Sequence, residues 1–303
     1  LDEIYQISSR TVVMRNGRVV AQRPVAGLSH GELVELIVGH NTETTVFDPP
    51  GIDERLSLRE IVVDEAGPVS FAVHRGEIVA LCGLRGAGQE PIGRAIAGAI
   101  PIRSGSLSLD GSPLSPRNPA VAVESGIGFA TSNREAEAVA PGLSVRENLF
   151  LNPAVWGRRA FQFRGSKREK EAAREYIAAF GVRPADPELP LDTFSGGNQQ
   201  KVILARWFGV GRKVVVLEEP TMGVDVGAKS DIYGLLRDAA RSGTATIVVS
   251  TDMEEVAKIA HRAIVFGRGE VVAELSGANL TIANLVAAAS DLQRTAERKQ
   301  SVV

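Results

Sequence analysis

Cysteine is almost missing from this chain: Cys82 stands alone among 303 residues, so no internal disulfide can form. It follows the apolar run Ile78–Leu81, where a buried small hydrophobe is expected rather than a reactive thiol. An excess of charge of either sign is missing too. The formal net charge is −2 and the pI about 6.2, which removes the overall basic character of a nucleic-acid binder. No uninterrupted apolar stretch is long enough to span a bilayer and no signal peptide opens the chain. A cytosolic chain is therefore expected, with any membrane role reached through a partner. The four histidines show no metal-ligand spacing, so no zinc site is assigned. The length allows a full core and one or two domains.

What is present concentrates in one stretch, Phe194 to Lys229, FSGGNQQKVILARWFGVGRKVVVLEEPTMGVDVGAK. Ser195-Gly196-Gly197-Asn198-Gln199 is a glycine turn opening into a helical pattern. Ser195 reads as the helix N-cap. Val214–Leu217 is a short apolar run of buried-strand type, closed by Glu218, Glu219 and Pro220. Gly223-Val224-Asp225 is a second tight turn before another helix. A further loop comes earlier: Gly83-Leu84-Arg85-Gly86-Ala87-Gly88 follows a strand and precedes a helix over Gln89–Ala97, the context of a phosphate-binding loop.

In this order and spacing the motifs resemble the signature turn, Walker B strand and D-loop of an ATP-binding cassette (ABC) ATPase, with Leu143–Leu149 (LSVRENL) adding to the likeness. The resemblance covers about residues 1–290 and is similar in detail to the second, C-terminal cassette of tandem ATPases that energise importers of ribose, galactose, xylose and similar sugars. It implies an α/β P-loop NTPase fold with an antiparallel β subdomain and an inserted α-helical subdomain.

The chain order agrees with a tandem origin. Residues 1–8 read as a helix remnant, and Thr11–Met14 and Arg18–Ala21 as strands joined by Asn16-Gly17, a strong hairpin signal. Ser29 and Glu32 have capping-box spacing before a helix over Leu33–Val38. The same succession recurs later: a helix over Met253–Ala260, strands Ala263–Phe266 and Val271–Leu275 around Gly267-Arg268-Gly269, then a helix from about Thr281. Residues 1–40 are thus expected to be the C-terminal remnant of a preceding cassette, 41–53 a linker, 54–290 the ABC cassette with its helical subdomain at about 133–190, and 291–303 a polar tail. Within the cassette, strands are expected at Leu56–Val63, Val69–Val73, Ile78–Leu81, Leu107–Leu109, Ile127–Thr131 and Thr244–Ser250, and helices at Ser144–Leu149 and Ser166–Phe180. The segment SPLSPRNP reads as turns.

The resemblance implies that ATP with Mg²⁺ would meet Gly83, Gly86, Ala87, Gly88, Gln89 and Glu90 in the loop and Ser195, Gly196, Gly197, Asn198 and Gln199 in the signature. Asp225 of the D-loop and Thr251 at the switch position would complete the set. Glu219 matches the catalytic glutamate, and Glu218 the Mg²⁺ ligand, although the family's residue there is the shorter Asp. Other departures weaken the site. A working loop needs lysine and a hydroxyl where Gln89 and Glu90 stand, and Pro91 removes one N–H from the anion-binding helix terminus. Glutamate and proline in a first helical turn also have an ordinary helical explanation. A direct metal contact by Glu90 is a second reading. Thr251 replaces the switch histidine. Ser132-Asn133-Arg134 stands where the sugar-importer branch carries Glu-Asp-Arg, and the Q-loop glutamine is missing. No aromatic lies between Phe47 and Phe71 to stack on adenine.

The expected function is the ATP-binding subunit of a simple-sugar ABC importer, on the cytoplasmic face of the membrane. Its partners would be the N-terminal cassette, permease subunits and, indirectly, a periplasmic or extracellular sugar-binding protein; nucleic acid is not expected. The intact tandem protein would hydrolyse ATP, and this chain alone little or none. Two other classes stay open: a non-transport ABC ATPase acting on nucleic acid or the ribosome, and a purely non-catalytic partner.

Overall fold

The structure, a computed structural model, describes residues 2–15, 18–29, 32–33, 36, 47–151 and 166–290. A short helix, Asp2–Ile7 (α1), leads into Arg10–Arg15 (β1) and Arg18–Pro24 (β2), which pair antiparallel as a sheet of their own. The expected capping box is formed, with Ser29 N donating to Glu32 Oε2 at 2.9 Å and Glu32 N to Ser29 Oγ at 3.2 Å. The hairpin turn at 16–17, most of the helix expected at 33–38, residues 41–46 of the linker and the polar tail lie outside the described residues.

The cassette begins with Glu54–Val63 (β3) and Ala66–His74 (β4). With Ser104–Leu109 (β6) and Ser112–Leu114 (β7) they form a four-stranded antiparallel sheet in the order β4-β3-β6-β7. The second sheet is built on Ile78–Gly83 (β5). It adds Ile127–Ala130 (β8), Val214–Glu218 (β9), Ala245–Ser250 (β10), Arg262–Gly267 (β11) and Glu270–Ser276 (β12). The order is β12-β11-β5-β10-β9-β8, parallel throughout except for β12.

Alternate residues of these apolar strands feed cores on opposite faces, as strands buried on both sides must. Val214, Val216, Ile247 and Val249 join the antiparallel sheet and the helix Gln89–Ile96 (α2) in one cluster. Val215, Leu217 and Val248 face the other way, onto Gly196–Phe208 (α6) and Val226–Arg241 (α7). Cys82 is fully buried in a third cluster with Val256 and Leu285, and burial raises its thiol to about 12. It is the inert small hydrophobe that its sequence context suggests.

One expectation needs correction. The segment read as turns contains β7, paired with Leu107–Leu109, and then a helix, Pro119–Ser125 (α3). Asn118 caps that helix by accepting from Val121 N at 3.0 Å, and Pro119 occupies a position whose N–H has no intrahelical partner. The Asn-Pro pair was a helix start, not a turn. The helices expected at 144–149 and 166–180 share a core with residues past 190. Val145–Leu149 (α4) and Ser166–Ala179 (α5) pack with Leu191, Phe194, Val202 and Ala205, so α6 belongs to it as much as to the sheet. The chain closes with Met253–Ile259 (α8) and a helix over 282–290.

Candidate nucleotide-binding site

The loop after β5 runs at the C-terminal ends of the parallel strands. Gly86 has φ 75° and Gly88 φ 113°, left-handed conformations that favour glycine. A Cβ on Gly88 would lie 2.8 Å from Gly269 Cα, so the close approach of the β11–β12 turn also requires glycine there. The turn is fastened by Gly269 N donating to Ala87 O at 2.8 Å. The loop therefore has a packing reason for its shape that is independent of any ligand.

Gln89 does not point at the space where phosphates would sit. Its side chain is fully buried and folds back into the loop, with Nε2 donating to Leu84 O at 3.1 Å and Oε1 left without a partner. Glu90 is half-buried beside it. The cleft in front of the loop holds about 310 Å³ and is lined by Asp64, Glu65, Glu90 and Arg94 among others. The lining carries three acidic residues, of which Asp64 is paired with Arg103, and one arginine whose guanidinium is itself engaged, a poor setting for a triphosphate.

That guanidinium is already engaged. Glu218, at the end of β9, is only 2 % exposed. Arg94 of α2 meets it with two nitrogens, Nε to Oε1 at 2.8 Å and Nη2 to Oε2 at 3.0 Å. Ser132 N donates to the same Oε2 at 3.2 Å. Arg94 Nη2 further reaches Thr131 Oγ1 at 3.2 Å and Glu137 Oε2 at 3.3 Å, and its guanidinium lies 5.8 Å from the Phe129 ring centroid. Burial alone would lower the Arg94 pKa; the hydrogen bond and charge of Glu218, with Glu137 behind, outweigh it and hold Arg94 above its ordinary value.

Glu219 has φ 42°, a strained backbone for a non-glycine residue. Its Oε1 accepts from Thr251 N at 2.8 Å and Thr251 Oγ1 at 2.9 Å. Thr251 is thus clamped to the acid beside it. Behind them the buried Glu255 accepts from Thr221 Oγ1 at 2.7 Å and Ser250 Oγ at 2.9 Å, and burial pushes its carboxyl up to about 7.

The signature turn is a separate arrangement. Ser195 stands at the N-cap position of α6, but its Oγ makes no capping bond and accepts instead from Asn198 Nδ2 at 2.9 Å. Ser195 thus holds the N-cap position read from the sequence, with Asn198 taking its oxygen in place of a backbone N–H. Asn198 Oδ1 accepts from Arg183 N at 2.7 Å, and Gln199 Nε2 donates to Phe194 O at 3.0 Å. Packing requires glycine at 197 and leaves little room at 196. A Cβ on Gly196 would lie 3.1 Å from Gly223 O and 3.2 Å from Arg134 Nη2, and one on Gly197 would lie 2.6 Å from Ala228 Cβ. Asp225 caps α7 through Ala228 N at 2.9 Å. Ser195 itself is exposed.

The sequence profile of the family described as ABC transporter matches residues 66–222. The chain belongs to the ABC transporter family. It is 34% identical over 299 residues to a putative ribose/galactose/methyl galactoside import ATP-binding protein of Burkholderia ambifaria, covering 97% of this chain and 58% of that protein. It is 36% identical over 282 residues to the ribose import ATP-binding protein RbsA of Hahella chejuensis, covering 91% and 56%. The chain therefore spans somewhat more than half the length of these relatives. Among solved structures, a nucleotide-free ATP-binding cassette from an ABC transporter matches with TM-score 0.64 at 19% identity, over 77% of this chain and 95% of that one. A dimeric cassette, MJ0796, bound to ADP and Pi, matches with TM-score 0.62 at 21% identity, over 73% and 98%. At these identities the structures establish the cassette fold.

ABC cassettes bind nucleotide, typically with Mg²⁺. The residues here do not fit the metal: both Glu218 oxygens face a guanidinium, and the hydroxyl position is Glu90. Among the described residues no group of three or more acidic, histidine or cysteine side chains could hold a metal, which also leaves the direct Glu90 contact without support. Of the sequence-predicted residues, Gln89, Glu90, Glu218, Glu219 and Thr251 gather at the C-terminal edge of the parallel sheet. Ser195–Gln199 and Asp225 gather where α6 and α7 begin, with Arg134 Nη1 donating to Gly196 O at 3.1 Å. Sequence reasoning missed Arg94. Its only sequence signal is a basic residue in the last turn of the helix after the loop, and its partner lies 124 positions away.

Proposed function

We propose that this chain is the second cassette of a sugar-import ATP-binding protein, acting at the cytoplasmic face of a membrane on permease subunits. In this reading its own loop is a degenerate nucleotide half-site and its signature turn serves ATP held by a preceding cassette. The names of the similar proteins, import ATP-binding proteins for ribose and galactose, support the sugar-importer branch. The single observation that carries the division of labour is the contrast within one molecule. Gln89 is folded inward and Glu218 is paired with Arg94, whereas Ser195 is exposed at the start of an intact glycine helix. A helix N-terminus with free N–H groups and a hydroxyl is suited to a γ-phosphate. Docking of such a phosphate only in the closed dimer would couple ATP binding to motion.

Asymmetric mutagenesis in the full-length transporter tests this. Ser195→Ala and Gly196→Asp are expected to lower ATPase and uptake strongly, by about 10²-fold or more if one donor to the developing charge is lost. Gln89→Ala is expected to leave both nearly unchanged. Equal damage from Gln89→Ala and Ser195→Ala would refute the degenerate half-site.

A further inference from the structure

Glu218 occupies the place where the family holds its metal, yet it is one end of an ion pair locked from several sides. Arg94 Nη2 donates to Oε2, and Nε lies 2.8 Å from Oε1 as an ion-pair contact that is not aligned as a hydrogen bond, so Oε1 is held by charge alone. Thr131 and Glu137 take the other side of the same Nη2, and Ser132 N adds to Oε2. Arg94 cannot swing away without leaving a buried carboxylate uncompensated. Mg²⁺ would need octahedral oxygen ligands at about 2.1 Å, and it would have to share Glu218 with a fixed positive charge. We propose that the Arg94 guanidinium is the resident cation of this half-site, and that the site takes no divalent metal whether or not nucleotide is offered. The proposal rests on the reading of the Gly83–Gln89 loop as a nucleotide half-site. It goes further in naming the group that fills the metal's place.

The probe is Mn²⁺, followed by electron paramagnetic resonance on the whole chain with and without ATP. The wild type is expected to show no saturable Mn²⁺ site up to millimolar concentration, and Glu218→Gln to behave identically. Arg94→Ala is expected to gain a Mn²⁺ site that the Arg94→Ala, Glu218→Gln double variant loses, and to melt at higher temperature with Mn²⁺ than without. Wild-type Mn²⁺ binding that Glu218→Gln abolishes overturns the proposal, and so does a folded Arg94→Ala chain with no gained site. If Arg94→Ala does not fold, the wild-type and Glu218→Gln titrations decide alone. Failure here leaves the signature result standing, because Ser195 and Gln89 are tested in a different assay with a different readout.

Discussion

A carboxylate at 2 % exposure needs a counter-charge, and Glu218 finds one in Arg94 rather than in a solvated ion. Removing Arg94 leaves that charge buried, so Arg94→Ala is expected to cost about 3–5 kcal/mol of stability by denaturant titration, and Glu218→Gln less. Glu255 tells a different story: among the described residues no cation pairs with it, and Lys229 acts on it only through its charge. Its two partners are hydroxyls, and burial raises its pKa from the usual 4.5 to about 7. A raised folded-state value means the folded chain holds this proton between those pH values while the unfolded chain has lost it. The stabilisation is fully present below pH 4.5 and is lost as pH rises through about 7. The gap corresponds to a difference on the order of 3 kcal/mol. Stability measured from pH 5 to 8 is therefore expected to fall, and Glu255→Gln to flatten that part of the profile. A wild-type curve that rises over the same range would contradict the assignment.

At the scale of elements, helix α2 is seated on the parallel sheet by a glycine. A Cβ on Gly93 would lie 2.7 Å from Val249 Cγ2 and 3.4 Å from Val216 Cγ1. Alanine in place of glycine improves helix propensity by about 1 kcal/mol, but overpacking against stiff β-branched side chains costs roughly 1–3 kcal/mol. Gly93→Ala is thus expected to be net destabilising in thermal melts, against the propensity rule. The fold was readable where pattern and period were local. Val214–Leu217, Ile78–Leu81 and the Gly83–Gly88 spacing announced buried strands and a loop, and Ser29 with Glu32 announced the capping box that the structure forms. The site was readable only in part. Gln89 and Glu90 were visibly wrong for a phosphate loop, but the inward fold of Gln89 depends on packing, and the Arg94–Glu218 pair joins residues 124 positions apart. The Asn118-Pro119 start was hidden because one dipeptide serves turns and helix N-termini alike.

At the scale of the molecule, the first described segment repeats the last in kind: a short helix, then an antiparallel hairpin. In the cassette that hairpin is anchored, since β11 pairs with both β12 and β5. At the start of the chain, β1 pairs only with β2 among the described residues, and Val12, Met14, Val19 and Val20 are exposed. A two-stranded sheet alone is marginal in water. Amides of β1 and β2 are accordingly expected to exchange with solvent orders of magnitude faster than those of Val214–Glu218. Equal protection in a monomer would contradict the reading of this segment as the end of another cassette. In the proposed reading the nucleotide half-site of this chain is filled by its own side chains, with Gln89 in the loop and Arg94 on Glu218. Calorimetric titration of the chain with MgATP, paired with a phosphate-release assay, tests it most directly. No saturable binding in the micromolar range and no turnover above background are expected. Micromolar affinity, with turnover that Glu219→Gln abolishes, would contradict it.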